Sequence, residues 1–487
     1  MRILKNSMIL FSFLFATTNI VACTIISAKD KKGQVWTGNN EDNLFTFKNL
    51  INIVPANNGE LGYVYFTYND PKQGMQGGVN EAGLFFDFNW VPFTKNTTNE
   101  NKEYYPGGHV KMFEYIMQHF TSVQEVMALY KKYKIPGIEN SQLHLADRHG
   151  NLAIIVADSM WITKDNYLAS TNYNACHPDI GDEDGEKCFR MPIAQRMLKN
   201  NEPSFELFTQ ICDSTHQFYS SGVSTIYSNI HNLTTGEIWF YFGLDYKNTY
   251  KTSIQELLNK GRTSMYICDL FSDNIMVKAH TAAEKKATAT SIELMESIKD
   301  STQRLTWMRL LVTGLIDMEA NFDSYPVFEH FLKQIKWERK DYSINSFALY
   351  CRGEKEMAIA CLDEGLKSFP KEQEMILFKN KLNGKFPSNN FYRLEVDDFQ
   401  DAKFVLIDYS YYQYENLLVK VGDKWVSEFP MEPDEYFFRF NVDGKLVTST
   451  EFEVANYDDS PHNRIVIKKN FFRDFTSYVF RHNRRVK

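Results

Sequence analysis

Cys23 is the first residue in this chain whose position suggests chemistry. It follows an apolar run that ends Ile20-Val21-Ala22. Arg2 and Lys5 precede that run, and Met8 to Ala16 form its core. A positive end, a short apolar stretch and small residues before the cysteine are the order of an export signal, expected at residues 1–22. Cleavage after Ala22 would leave Cys23 with a thiol and a free α-amine on one residue. The amine has an ordinary pKa of about 8, so part of it is neutral near physiological pH. It can take the thiol proton without a separate histidine. The thiolate then attacks an amide carbonyl, the amine returns its proton to the leaving nitrogen, and water hydrolyses the thioester. The same Ile20-Val21-Ala22-Cys23 run also fits a loose lipobox. Lipid on the sulfur and an acyl group on the amine would abolish this chemistry and place the protein on a membrane. Lipoproteins usually follow the cysteine with a polar tether, whereas Thr24-Ile25-Ile26-Ser27-Ala28 reads at once as a strand. An exported protein of the periplasm, cell surface or medium is therefore the expectation, ahead of a lipoprotein.

The elements around Cys23 are of mixed type. CTIISA and QVWTG read as strands joined by a KDKKG turn, and LGYVYFTY, GLFFDFNWV, LHLAD and NLAIIVAD also alternate as strands. HVKMFEYIMQHFTSVQEVMALYKKY has helical apolar spacing, and STIYSNIH with EIWFYFG forms a hairpin across NLTTG. Strands with a few long helices predict a layered α+β domain over residues 23–285.

The ordered motifs resemble the choloylglycine hydrolase and penicillin V acylase family of N-terminal nucleophile (Ntn) hydrolases, which cleave linear amides. CTIISAKDKKGQVWTGNNED is similar to the family's opening, with Gly38-Asn39-Asn40-Glu41-Asp42 at its Gly-Arg-Asn-x-Asp motif. Gly78-Val79-Asn80-Glu81-Ala82-Gly83-Leu84, Thr171-Asn172 and the Thr225–Ser228 hairpin follow in the family's order. The resemblance implies an αββα sandwich with Cys23 as nucleophile and base. It implies Asp42 near the Cys23 end, where the residue also reads as a turn-capping carboxylate. It makes Asn89 and Asn172 oxyanion donors, although Asn89 reads equally as a strand-end asparagine. Asn39 and Asn40 become candidate substrate neighbours. The family's arginine is Asn39 here, so another residue or the substrate must supply the missing charge. His216, in Asp213-Ser214-Thr215-His216-Gln217, is a weaker substrate-site candidate beside its plainer reading as a helix-end histidine.

Beyond this domain, residues 286–386 read as helical, with one tetratricopeptide-like helix pair over INSFALYCRGEKEMAIACLDEGLKSF. KFPSNN is a linker by composition, and residues 391–487 read as an immunoglobulin-like β-sandwich. That part resembles glycogen-binding modules through Asp401-Ala402-Lys403, Gly422-Asp423-Lys424-Trp425 and Val442-Asp443-Gly444-Lys445. YSYYQYENL and GKLV lack the tryptophans that stack sugars in such modules, and Trp425 reads as core, so support for carbohydrate binding is slight. A net charge of -7 opposes non-specific phosphate binding, so nucleic acid is not an expected partner. None of the seven cysteines has convincing zinc spacing. Cys176 and Cys188 flank a polar loop and read either as a disulfide or as two free thiols. The expected partner is a small amide substrate, with no metal or organic cofactor. Homo-oligomers are open, because the family often forms them.

Overall fold

The computed structural model describes residues 23–68, 75–91, 102–106, 108–134, 138–176, 188–386, 391–408, 413–429, 431, 434–457 and 460–468. The expected export signal at 1–22 and the end of the chain beyond 468 lie outside them, as does most of the linker.

Two antiparallel sheets face one another. The first runs Tyr167–Ser170, Thr24–Lys29, Val35–Leu44, Val223–Asn232, Glu237–Phe242 and Tyr250–Ser253. The second runs Met160–Ile162, Leu152–Ile155, Ser141–Asp147, Leu84–Trp90, Gly77–Asn80, Tyr63–Tyr68, Asn49–Val54 and Thr263–Tyr266. Ile25, Val35, Phe66, Phe85, Ile226 and Phe240 fill the space between them. The opposite faces are covered by helices. Arg190–Asn200 and Phe205–Thr215 pack on the first sheet through Ala194, Leu198, Phe208 and Ile211. Gly108–His119 and Val123–Lys132 pack on the second through Phe113, Ile116, Met117 and Val126. The layers are therefore α, β, β, α. The sequence pattern suggested one long helix where these last two lie. Ser122 accepts the Glu125 backbone N–H, and the Glu125 carboxylate accepts that of Ser122. This capping box starts a new helix inside an otherwise continuous apolar repeat.

The helical region is not a separate body. Its residues, including Trp307, Leu311, Leu315, Phe328 and Phe347, join the same apolar core as the two sheets. Within it, Arg339–Cys351 and Lys355–Ser368 form the expected helix pair. The buried Arg309–Asp341 ion pair (2.5 Å) ties that pair to the Ser301–Val312 helix. The C-terminal strands form one antiparallel path: Tyr392–Val396, Lys424–Phe429, Leu417–Val421, Val405–Asp408, Asp434–Val442, Ser460–Ile467 and Glu453–Tyr457, with Lys445–Val447 added on Asp434–Val442. The path curls, because Leu394 and Val396 at one end share a core with Ile465 and Ile467 near the other. Trp425 is buried there, donating its indole N–H to the Phe399 carbonyl (3.0 Å), which is the core role expected of it. Phe404 packs edge-on against Phe322 at 4.9 Å, so the C-terminal sheet also touches the helical core. Among the described residues, no helix is long and apolar enough to cross a membrane.

Gly222 stands where the first sheet meets the helical region. Its φ is +88°, and a Cβ there would overlap the Thr313 side chain. Gly222→Ala combines left-handed strain with this overlap. It should lower stability by about 1–3 kcal/mol, read as a lower urea midpoint at unchanged slope.

Candidate active site

Cys23 immediately precedes the Thr24–Lys29 strand and is buried. Pairing of Thr24 with Asn40 brings the cysteine opposite Glu41. Strand alternation then sorts the neighbours. Asn39 pairs with Ile25, and Glu41 pairs with Tyr227. Ile25 and Tyr227 both belong to the core between the sheets, so Asn39 and Glu41 share that face with Cys23. Asn40 and Asp42 point the other way, toward the helices.

On the helix side the organising group is Arg190, buried at the start of the Arg190–Asn200 helix. Its Nη1 donates to the Cys23 carbonyl (3.0 Å), the Thr24 hydroxyl (3.0 Å) and the Asp42 carboxylate (3.3 Å). Its Nη2 donates to the Asn172 side-chain oxygen (2.8 Å). Asp42 also accepts Gln217 Nε2 (2.6 Å) and the Thr225 hydroxyl. The Asp42 backbone N–H favours the Cys23 thiolate. Asp42 therefore reaches the Cys23 end through its main chain and through Arg190. Asn89, from the second sheet, donates Nδ2 to the same Cys23 carbonyl (3.0 Å), and Asn172 donates Nδ2 to the Trp90 carbonyl (2.8 Å).

Arg190 was not legible as a site residue in the sequence. One local signal existed. It occupies the first turn of a helix whose preceding residue, Phe189, makes no side-chain cap. A cation at that end opposes the helix dipole, so a partner elsewhere must hold it, and Asp42 does. Arg190 comes 151 positions after Asn39 (190 − 39) and reaches the helix side of the strand, not the face that Asn39 shares with Cys23.

The other candidates fall away from the sulfur. Asn40 is buried on the helix side. It donates to the Cys212 carbonyl (2.9 Å) and Thr215 Oγ1 (3.2 Å) and accepts from Ser228 (2.6 Å), so it fixes the Phe205–Thr215 helix to the sheet. His216 follows that helix with its ring stacked on Tyr246 at 5.7 Å, the helix-end placement. Cys176 and Cys188 are free thiols, and residues 177–187 between them lie outside the described set. His280, Glu284 and Glu319 gather ligand atoms within 4.8 Å of one another. Lys48, just before the Asn49–Val54 strand, pairs with Glu319 at 3.4 Å, and His280 Nε2 lies 3.0 Å from the same carboxylate, so Glu319 already has partners in this cluster.

Electrostatics at the site run against a free thiolate. Burial, and then the charges of Glu41, Asp42 and Asp87, push the Cys23 thiol well above its ordinary range, while the Asp42 backbone N–H opposes them. Burial raises the Asp42 carboxyl from 3.8 to about 7, although Arg190, Thr225 and Gln217 all favour its charged form. An acid raised in this way stabilises the fold fully below the unfolded value of 3.8, and the contribution is lost as pH rises to about 7. The cost of Asp42→Asn should therefore be greatest near about pH 4 and shrink toward about pH 8, as measured by urea midpoints of both proteins across that range.

Residues 28–246 match the family described as acyl-coenzyme A:6-aminopenicillanic acid acyl-transferase. Cys23 itself lies just before the matched segment, so its place in the site comes from the geometry above. No curated protein matches the chain. Among solved structures, a variant of conjugated bile acid hydrolase from Clostridium perfringens is 16% identical, with a TM-score of 0.39, covering 50% of this chain and 96% of that one. A second variant of the same hydrolase is 15% identical with a TM-score of 0.38, covering 50% and 96%. Penicillin V acylase from Agrobacterium tumefaciens is 16% identical with a TM-score of 0.37, covering 50% and 90%.

Proposed function

We propose that this protein is an exported Ntn amidase that cleaves a linear amide through a thioester on Cys23. The supporting observation is the grip on the Cys23 main chain. Arg190 and Asn89 both hold its carbonyl at 3.0 Å, and the Asp42 backbone N–H favours its thiolate. A structural cysteine needs no such fixation, whereas a nucleophile whose own amine is the base must have both groups aimed at once. Removal of residues 1–22 would release that amine. The neutral amine takes the thiol proton as sulfur attacks the substrate carbonyl. The developing oxyanion would draw on the Nδ2 groups of Asn89 and Asn172, in exchange for the main-chain carbonyls they now hold. The amine's proton passes to the leaving nitrogen, and water then releases the acid.

We read the remaining parts as accessories. The helix pair is a tetratricopeptide-like spacer that shares the catalytic core. The curled C-terminal sheet is an immunoglobulin-like module whose buried Trp425 leaves no tryptophan platform there for sugar.

The test is an amide library screened by intact mass for an acyl adduct on the protein. The adduct should map to Cys23 and be absent from Cys23→Ala. Asn172→Ala should form it about 10²–10³ times more slowly, the usual cost of one oxyanion donor. An adduct that persists in Cys23→Ala would overturn the proposal.

A further inference from the structure

The inter-sheet side of the Cys23 sulfur holds only acceptors and acids. Glu41 is buried beside the thiol, and its charge is one of those that raise it. The Tyr68 hydroxyl donates to the Glu41 carboxylate, and Asn39 Nδ2 donates to it at 3.2 Å. Asp87, from the facing sheet, is 1% exposed, and its charge interacts with both Glu41 and Cys23. Its side chain accepts the Phe88 backbone N–H at 2.7 Å. Gly77 pairs with Asp87 across the strands, and the Asp87 carboxylate packs where a Gly77 Cβ would stand, 2.6 Å from Oδ2. Tyr227 completes the group.

No cation in the described structure answers these acids. Arg190 lies on the other face of the strand, bound to Asp42. A second observation points to a missing donor. Asn39 is fully buried, its amide nitrogen faces Glu41, and its Oδ1 has no hydrogen-bond partner. The cross-strand residue Asn229 does not supply one, because its Oδ1 meets His231 Nε2 (3.0 Å) and its own Nδ2 is also unpartnered. Two carboxylates and an orphaned carbonyl oxygen at one place match a group that carries several N–H donors and a positive charge.

We propose that Glu41, Asp87 and Asn39 form an acidic subsite beside the Cys23 sulfur, which takes a small cationic group, an ammonium or guanidinium, carried by the amide substrate. The inference rests on the reading of Cys23 as the nucleophile and adds a substrate class to it. A bound cation would satisfy Asn39 Oδ1 and offset the charges that oppose the thiolate, so the correct substrate would help to generate its own nucleophile. Asn39 is then a specificity residue: the arginine usual at that position would repel such a group.

Charge-tagged thiol reagents test this without a known substrate. Methanethiosulfonates bearing trimethylammonium, methyl or sulfonate ends form a mixed disulfide with the cysteine and expel methanesulfinate. Their rates at Cys23, located by peptide mass and divided by their rates on free cysteine, report local charge alone. A change in thiol reactivity affects all three reagents equally and cancels in the ratio. The wild-type protein should favour the cationic over the anionic reagent by about tenfold or more. Glu41→Gln and Asp87→Asn, each checked for an unchanged melting temperature, should each lower that ratio several-fold. A wild-type ratio equal to that of free cysteine, a ratio unmoved by both substitutions, or no reaction at Cys23 would overturn the subsite. Failure of the amidase reading appears separately, as absence of an acyl adduct on the same protein.

Discussion

The buried guanidinium of Arg190 is the contact on which the site depends. It joins the Cys23 carbonyl, the Thr24 hydroxyl, the Asp42 carboxylate and the Asn172 carboxamide. These four groups come from three separate parts of the chain, and Arg190 from a fourth. A buried cation has little value as glue unless its bonds are complete, and removing one partner of such a pair costs about 3–5 kcal/mol. The αββα layering makes this contact possible. The first strand must begin just after Cys23, and the Arg190–Asn200 helix must lie on the outer face so that its first residue reaches the start of that strand.

Charge is divided across the second strand. Asp42 faces the helices and is neutralised by Arg190. Glu41 faces the interior beside the thiol and accepts from Tyr68 and Asn39, with no cation among the described residues. One strand thus carries a paired acid and an unpaired acid on opposite faces, both adjacent to one sulfur. The resulting field holds the thiol in its neutral form, which suits a nucleophile that gives up its proton only as attack begins.

Much of this was legible in the sequence. The strands around Cys23, the hairpin over 223–242 and the helix pair over 339–368 follow from period-two and helical patterns. Asp42, Asn89 and Asn172 do cluster around the Cys23 end. Asn40 was misplaced for a reason that strand geometry explains, since it alternates with Asn39 and Glu41 and so must face the helices. Arg190 escaped because nothing local links it to residues 23–42, and its contacts exist only once the helix docks. Glu41 escaped because it fills the variable position of a motif, where its type carried no expectation. The domain boundary near 285 also reads more sharply in composition than in packing, because the helices complete the core of the sheets.

The account depends on Cys23 being the first residue of the working protein with its amine bare. Intact mass of the exported protein, with Cys23→Ser as control, measures this directly. The account predicts a chain that begins at Cys23 with no added mass. A mature terminus elsewhere, or a lipid on Cys23, would contradict it.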